Sequence, residues 1–301
     1  MISNNRILKS ISAVLALGSL LFSAPASHAQ AGSTQVKDVI YGHKEGVALT
    51  MDVFKPAKPN GAGILWMVSG GWVSNYNNIN AAYAAPFLAR GYTVFEVVHG
   101  STPRFPVVEI LKDIRRAARF VRFHAAEYGI DPNKLGISGG SSGGHLSLMT
   151  AAMGDDGDAN AKDPVDRVSS RIQAVACFFP PTDFLNFGKP GVHAIDVPML
   201  AVFRPAFAVP AGATDADKEK LGRDLSPIWQ VGAKMPPTLI IHGDADPLVP
   251  LQQSQIFIDK LKELKVENKL IVRPGKGHSW PGIEKDLDVF LDWYDKYLAG
   301  K

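Results

Sequence analysis

From residue 64 onward, short apolar runs alternate with longer stretches whose apolar positions recur at helical spacing. Residues 64–68 are continuously apolar, the pattern of a strand buried on both faces. A glycine loop follows, then a helical stretch at 81–89 and a second strand at 92–98. Residues 107–128 predict one long helix, with Ile110, Ile114, Ala117, Ala118 and Val121 on one face and Gly129 closing it. Asp131 and Pro132 mark the next turn. Further strands are expected at 134–138, 172–179, 238–242 and 269–272. Helices are expected after the glycine run 139–144 as far as residue 153, and at 251–264 and 283–297. Such alternation builds parallel β-α-β units, so the expected fold class is α/β, a mostly parallel central sheet flanked by helices. Ligands of such sheets bind outside the carboxyl ends of the strands, so the loops leaving those ends are where the chemistry belongs.

Two segments break the alternation. Residues 154–168 are rich in Gly and Asp, including Asp155, Asp156, Asp158 and Asp163. They lack the spacing and closing glutamate of an EF-hand, and read as a solvated loop instead of a calcium site. Residues 182–236 are too apolar for a linker, with Phe184, Phe187, Met199, Phe203, Phe207 and Trp229. A structured insertion of that length predicts a cap over the site, within a single domain spanning 30–301.

The first 29 residues stand apart from this pattern. Arg6 and Lys9 precede an apolar stretch at 11–22 that is short for a bilayer span, and Ser27-His28-Ala29 places small residues at the expected cleavage positions. This is the layout of a secretory signal peptide cleaved after Ala29, which predicts an exported protein, periplasmic or secreted, without a membrane anchor. The net charge of the 301-residue chain is +3, and losing Arg6 and Lys9 takes it to +1. A near-neutral protein has no global field for nucleic acid or an anionic membrane. The basic stripe Lys112, Arg115, Arg116, Arg119 and Arg122 reads as the solvated face of its helix. The single cysteine, Cys177, lies in an apolar run and reads as a small buried hydrophobe.

The strongest chemical signal is Gly139-Gly140-Ser141-Ser142-Gly143, a G-x-S-x-G motif between a strand and a helix. A serine on so sharp a turn has strained backbone angles, and the residues two before and two after it must be tiny. Residues 136–140 also match the motif around Ser138, but Ser138 still belongs to the apolar strand. A serine hydroxyl needs a base, and the base needs an orienting acid. The order expected after such an elbow is acid, then histidine. Asp244 and Asp246 follow the strand at 238–242, and spacing does not separate them. Of the eight histidines, His278 alone lies late in the chain in a glycine-flanked loop after a strand. His145 reads as packing or capping the helix after the elbow, and His242 as the end of a strand. An oxyanion hole would combine the Ser142 N–H with donors from the loop after the first strand, where Gly70, Gly71 and Trp72 are the candidates. The chemistry implies no metal or organic cofactor.

These motifs resemble the α/β-hydrolase superfamily, and within it the secreted carboxylesterases that include acetyl-xylan and feruloyl-esterase-like enzymes and hormone-sensitive-lipase relatives. The resemblance runs from about residue 41 to the C-terminus. The family elbow G-x-S-A-G-G-H-L matches residues 139–146, and its H-G-x-x-D-x-x-V-P loop, matching 242–250, implies that Asp246 is the acid. The family base carries over to His278. The family oxyanion loop reads H-G-G-G-W, whereas Val68-Ser69-Gly70-Gly71-Trp72 lacks its histidine and first glycine. The resemblance implies hydrolysis of small or carbohydrate-linked esters. A prolyl-oligopeptidase-like peptidase and a non-catalytic binding protein on a hydrolase scaffold are the rival readings. The chain lacks room for the propeller that filters peptides in the first, and an intact triad argues against the second.

Overall fold

The computed structural model describes residues 32–300; the expected leader lies outside them. Eight strands, β1 (Thr34–Lys44), β2 (Val47–Lys55), β3 (Gly63–Met67), β4 (Thr93–Val97), β5 (Leu135–Gly140), β6 (Ala174–Phe178), β7 (Thr238–Gly243) and β8 (Asn268–Arg273), form one sheet in the order β1-β2-β4-β3-β5-β6-β7-β8. Strands β3 to β8 pair in parallel and are the six expected from the hydrophobic pattern. The antiparallel strands β1 and β2 were not expected. Strand β1 is an edge strand, exposed along most of its length, and its register slips twice, between Val36 and Val39 and between Ile40 and Gly42. Neither exposure nor slippage leaves the two-residue alternation that marks a half-buried strand.

The continuous apolar runs are explained by burial on both faces. Ile64 and Trp66 of β3 point into one core with Ala84 and Phe87 of helix α1 (Ala81–Ala89). Leu65 and Met67 point into the other, against Ile110 and Ile114 of α2 (Val107–Phe123) and Leu148 and Met149 of α3 (Ser142–Ala152). Three more helices, α4 (Asp215–Leu225), α5 (Gln252–Glu263) and α6 (Leu287–Tyr294), follow in the chain. The single helix expected over 107–128 is broken at His124, after which the short turn Ala125–Tyr128 ends on Gly129 with φ of 68°. The break buries Ala125 and sets Tyr128 edge-on to Phe95 at 5.1 Å.

Part of the basic stripe pairs with part of the acidic loop, which refines the reading of both as solvated: Lys112, Asp156 and Asp158 stay exposed, while two arginines of the stripe reach across to the loop. Arg116 binds Asp163 at 2.6 Å and Asp166 at 2.9 Å, and Arg119 pairs with Asp155. Arg122 donates to the carbonyls of Pro132 at 2.9 Å and Arg171 at 2.6 Å, and also to Ser169. Burial pushes its guanidinium down to about 10. These ion pairs fasten the loop to α2.

Residues 182–236 leave β6 and return to β7, and their two ends are bolted together. Gln253 of α5 is fully buried, and its Oε1 accepts the N–H groups of Thr182 and Asp183 at 2.9 and 2.7 Å. The Thr182 hydroxyl donates to the Gln253 carbonyl at 2.6 Å. From the far end, Ser226 Oγ accepts the Phe184 N–H at 2.8 Å, and the Ile228 N–H donates to the Thr182 carbonyl at 3.2 Å.

Candidate active site

Ser141 occupies the turn between β5 and α3 with φ of 54° and ψ of −120°, a conformation that side-chain-bearing residues rarely adopt. The glycines around it are sterically required. A Cβ on Gly139 would stand 2.6 Å from the Gly143 backbone, and one on Gly143 would stand 3.1 Å from the Met67 carbonyl oxygen. The Ser141 N–H donates to the Phe178 carbonyl at 3.0 Å, which fastens the turn to β6. Ser138 has no such prominence. It is fully buried, with its hydroxyl bonded to the Ala176 carbonyl at 2.9 Å and the Tyr294 hydroxyl at 2.8 Å.

The loops after β7 and β8 bring the acid and base to this turn. His278 Nε2 lies 2.8 Å from Ser141 Oγ, and its Nδ1 lies 2.8 Å from Asp246 Oδ2. The carboxylate fixes the proton on Nδ1, so Nε2 is left to accept from the serine hydroxyl. Phe179 packs against the imidazole with ring centroids 4.6 Å apart. The geometry separates the two aspartates. Asp244 is exposed and accepts the Gly275 N–H at 2.6 Å, whereas Asp246 takes the imidazole bond. The Asp246 side chain is fully buried, and its Oδ1 accepts the N–H groups of Leu248 and Val249, each at 2.9 Å. Burial, the largest single influence, raises its pKa, but hydrogen bonds from His242, His278 and Val249 outweigh it and hold the group well below the usual carboxylate range.

His242 was expected only to end a strand. Its Nε2 faces two acceptors, the Val249 carbonyl at 2.9 Å and Asp246 Oδ2 at 3.2 Å, so it carries the proton. Its Nδ1 then accepts from the Ser254 hydroxyl at 2.6 Å. One histidine therefore holds the acid from behind while the other receives it in front. The four-residue offset from His242 to Asp246 within one tight loop was the signal available in the sequence.

The loop after β3 lies across the serine. Gly71 and Trp72 both have positive φ, 56° and 61°, which is ordinary for the glycine and unusual for the tryptophan. Among the described residues, the N–H groups of Gly71, Trp72 and Ser142 have no protein acceptor. The Gly70 N–H donates to the Val73 carbonyl at 3.0 Å, which removes Gly70 from the expected donor set. Ser69 stands where the resemblance would place the first glycine, and its hydroxyl lies 3.1 Å from that of Ser142. Trp72 is anchored by His145, whose Nδ1 accepts the indole N–H at 3.1 Å while its Nε2–H donates to the Leu225 carbonyl at 2.7 Å. Burial pushes the His145 pKa down to about 4, which keeps the ring neutral and Nδ1 free to accept. The packing role expected for His145 thus links α3, the loop after β3 and the end of α4.

Residues 51–261 match the BD-FAE family model. The chain belongs to the BD-FAE family of α/β-hydrolases. Among curated relatives, it is 29% identical over 235 residues to the probable carboxylic ester hydrolase LipM of Mycobacterium tuberculosis, covering 75% of this chain and 52% of LipM. The chain spans about half the length of the first curated relatives it matches. Among solved structures, it resembles a truncated carbohydrate esterase from gut microbiota with a TM-score of 0.70 and 27% identity, over 90% of this chain and 99% of that one. It also resembles the butyrate-bound esterase Est2 of Thermogutta terrifontis, with a TM-score of 0.66 and 26% identity over 88% and 92% of the two chains.

A cavity of about 30 Å³ opens beside Ser141 between the family scaffold and the insertion, with walls from Phe184, Phe187, Leu200, Phe203, Phe207 and Leu248. Cys177 is buried in β6, where burial pushes its thiol well above the usual range. Among the described residues, no cluster of three or more His, Cys, Asp or Glu side chains is placed to hold a metal ion.

Proposed function

We propose that this protein is an exported serine carboxylesterase acting through an acyl-enzyme on Ser141, on small or carbohydrate-linked esters. The observation that carries the reading is the unbroken hydrogen-bonded series Ser141 Oγ, His278 Nε2, His278 Nδ1 and Asp246 Oδ2, with both links at 2.8 Å. As Ser141 Oγ attacks the ester carbonyl carbon, its proton passes to His278 Nε2, and ionised Asp246 stabilises the imidazolium. The carbonyl oxygen, now anionic, is received by the N–H groups of Ser142 and of Gly71 or Trp72. Collapse breaks the carbon–alcohol bond, and the alcohol leaves with the proton from His278. Water then attacks the acyl-enzyme, gives a proton to His278, and the proton returns to Ser141 as the acid departs. The insertion at 182–236 caps the acyl-enzyme and limits water access. An ester-hydrolase relative and carbohydrate-esterase neighbours support the reaction class.

Ser141→Ala should abolish both hydrolysis of p-nitrophenyl acetate and labelling by a fluorophosphonate. Retained activity there, with loss in Ser138→Ala, would refute the assignment. Export is tested on the protein secreted by its host, whose mass should begin at Gln30; an intact N-terminus would refute cleavage after Ala29.

A further inference from the structure

We propose that the cavity beside Ser141 is an acyl pocket for short aliphatic acids, that Phe203 limits their length, and that the alcohol side carries the substrate's bulk and polarity. The inference rests on Ser141 being the nucleophile. The departing alcohol must receive its proton from His278 Nε2, so it lies on the His278 side of the serine. The cavity borders Ser141, Ser142, Gly71 and Trp72 but not His278. A group occupying it shares a carbon with Ser141 Oγ and stays clear of the base, which is the position of the acyl chain.

The chemistry of the walls selects what enters. Apart from the serines they are apolar, and the polar side-chain atoms nearby are already paired: Trp72 Nε1 with His145, and Ser142 Oγ with Ser69. A phenolic or hydroxylated acyl group would bury a donor with no partner, at a cost of a full unmade hydrogen bond. The volume of about 30 Å³ seats roughly two to three groups the size of a water molecule, which corresponds to an acetyl to butyryl chain. A hydroxycinnamoyl group is far larger. On the His278 side, the flanking residues Gly277 and Ser279 are partly exposed, so a sugar alcohol lies toward solvent.

Phe203 is the movable boundary of this pocket. It ends the short 3₁₀ segment Pro198–Phe203, in which Met199 and Val202 are exposed, and it is itself half-buried. Its ring presses on the backbone of the loop after β3: a Cβ on Gly71 would stand 2.6 Å from Phe203 Cε1. It also meets Trp72 edge-on at 6.0 Å. Its neighbours Met199, Ala201 and Val202 are exposed, so truncating the ring lengthens the pocket toward solvent.

The test is a kcat/KM series over p-nitrophenyl acetate, butyrate, hexanoate and octanoate, with a feruloyl ester alongside, for the wild type, Phe203→Ala, Phe203→Leu and Ser141→Ala. The wild type should prefer acetate or butyrate over octanoate by more than about tenfold, and should cleave the feruloyl ester poorly. Each methylene newly buried is worth about fourfold, so Phe203→Ala should improve the octanoate-to-acetate ratio by about tenfold or more, with Phe203→Leu intermediate. Wild-type protein that cleaves octanoyl or feruloyl esters as fast as acetate would overturn the proposal, as would a folded Phe203→Ala with an unchanged ratio. The wild-type series alone decides the acyl class if Phe203→Ala does not fold. Acetate hydrolysis persisting in Ser141→Ala would instead overturn the nucleophile assignment, an outcome independent of the chain-length ratios.

Discussion

Replacing His145 by leucine keeps an apolar ring-sized volume between α3 and the loop after β3 but deletes both hydrogen bonds of the imidazole. The indole N–H of Trp72 and the carbonyl of Leu225 are left buried and unpaired. Each such orphan costs about 1–3 kcal/mol, so a stability loss of about 2–6 kcal/mol is expected. The kinetic consequence is separate. Trp72 holds a positive φ of 61°, a conformation that costs an ordinary residue about 1–3 kcal/mol and persists only while its surroundings enforce it. Without the anchor, the backbone can relax and turn its N–H away from the position of the reacting oxygen. Removing one oxyanion donor lowers kcat by about 10²–10³. Hydrolysis of p-nitrophenyl acetate, measured well below the variant's unfolding temperature, should show a kcat loss of that order. The pH midpoint of kcat should be unmoved, since the bonds of His278 to Ser141 and Asp246 are untouched. A folded variant with kcat within about threefold of wild type would refute the reasoning, and would mean that the contacts of Trp72 with Phe184, Phe203 and Phe207 hold the loop unaided.

The same histidine predicts an acid response. Its folded pKa, lowered to about 4, favours the neutral ring in the folded state, so its contribution is complete above the ordinary value near 6.5 and is lost as pH falls from there toward 4. Thermal melts should accordingly decline less steeply over that window in His145→Leu than in wild type, while His99, also lowered to about 4, keeps part of the slope. Asp246→Asn should lower kcat by about 10⁴ through the wrong His278 tautomer, whereas Asp244→Asn should stay within a few-fold of wild type; equal losses would refute the division of roles. Glu96 is buried in β4 with Oε2 accepting the Asn80 N–H at 2.7 Å, and burial pushes its pKa up to about 8. The folded state therefore prefers the protonated acid, and this contribution, whole below about 4.5, disappears as pH rises through 8. Glu96→Gln, which mimics the protonated form, should raise the melting temperature more at pH 9 than at pH 5, and an equal shift at both would refute it.

The parts of the fold and site that could be read in the sequence are those where one local requirement admits few residues. A strand covered on both faces must be largely apolar, which exposed β3 to β7 to view, and a serine elbow must be flanked by glycines, which isolated residues 139–143. The edge hairpin escaped because exposure removes the constraint that would have written a pattern. The ion pairs of Arg116 and Arg119 escaped for another reason: a charged row on a helix looks the same whether it faces water or a loop far along the chain, as Asp163 is 47 residues from Arg116. His145 and His242 each sit beside a motif residue, yet what they hold, Trp72 and Asp246, is decided by tertiary placement. Spacing left Asp246 and Asp244 equal, and the folded geometry distinguishes them: Asp246 reaches the imidazole, whereas Asp244 accepts the Gly275 N–H.

The fastening of the insertion's ends has a consequence for how the protein can be altered. Because Thr182, Phe184, Ser226 and Ile228 are tied to one another and to Gln253, the chain between them begins and ends at one fixed place. Lengthening or exchanging a segment with fixed ends costs little, as closure entropy grows only with the logarithm of length. The stretch from about residue 188 to 220 therefore behaves as an exchangeable module on a frame that keeps its own register. On the proposed function, transplanting this stretch should change substrate preference while leaving the hydrogen bonds among Ser141, His278 and Asp246 in place.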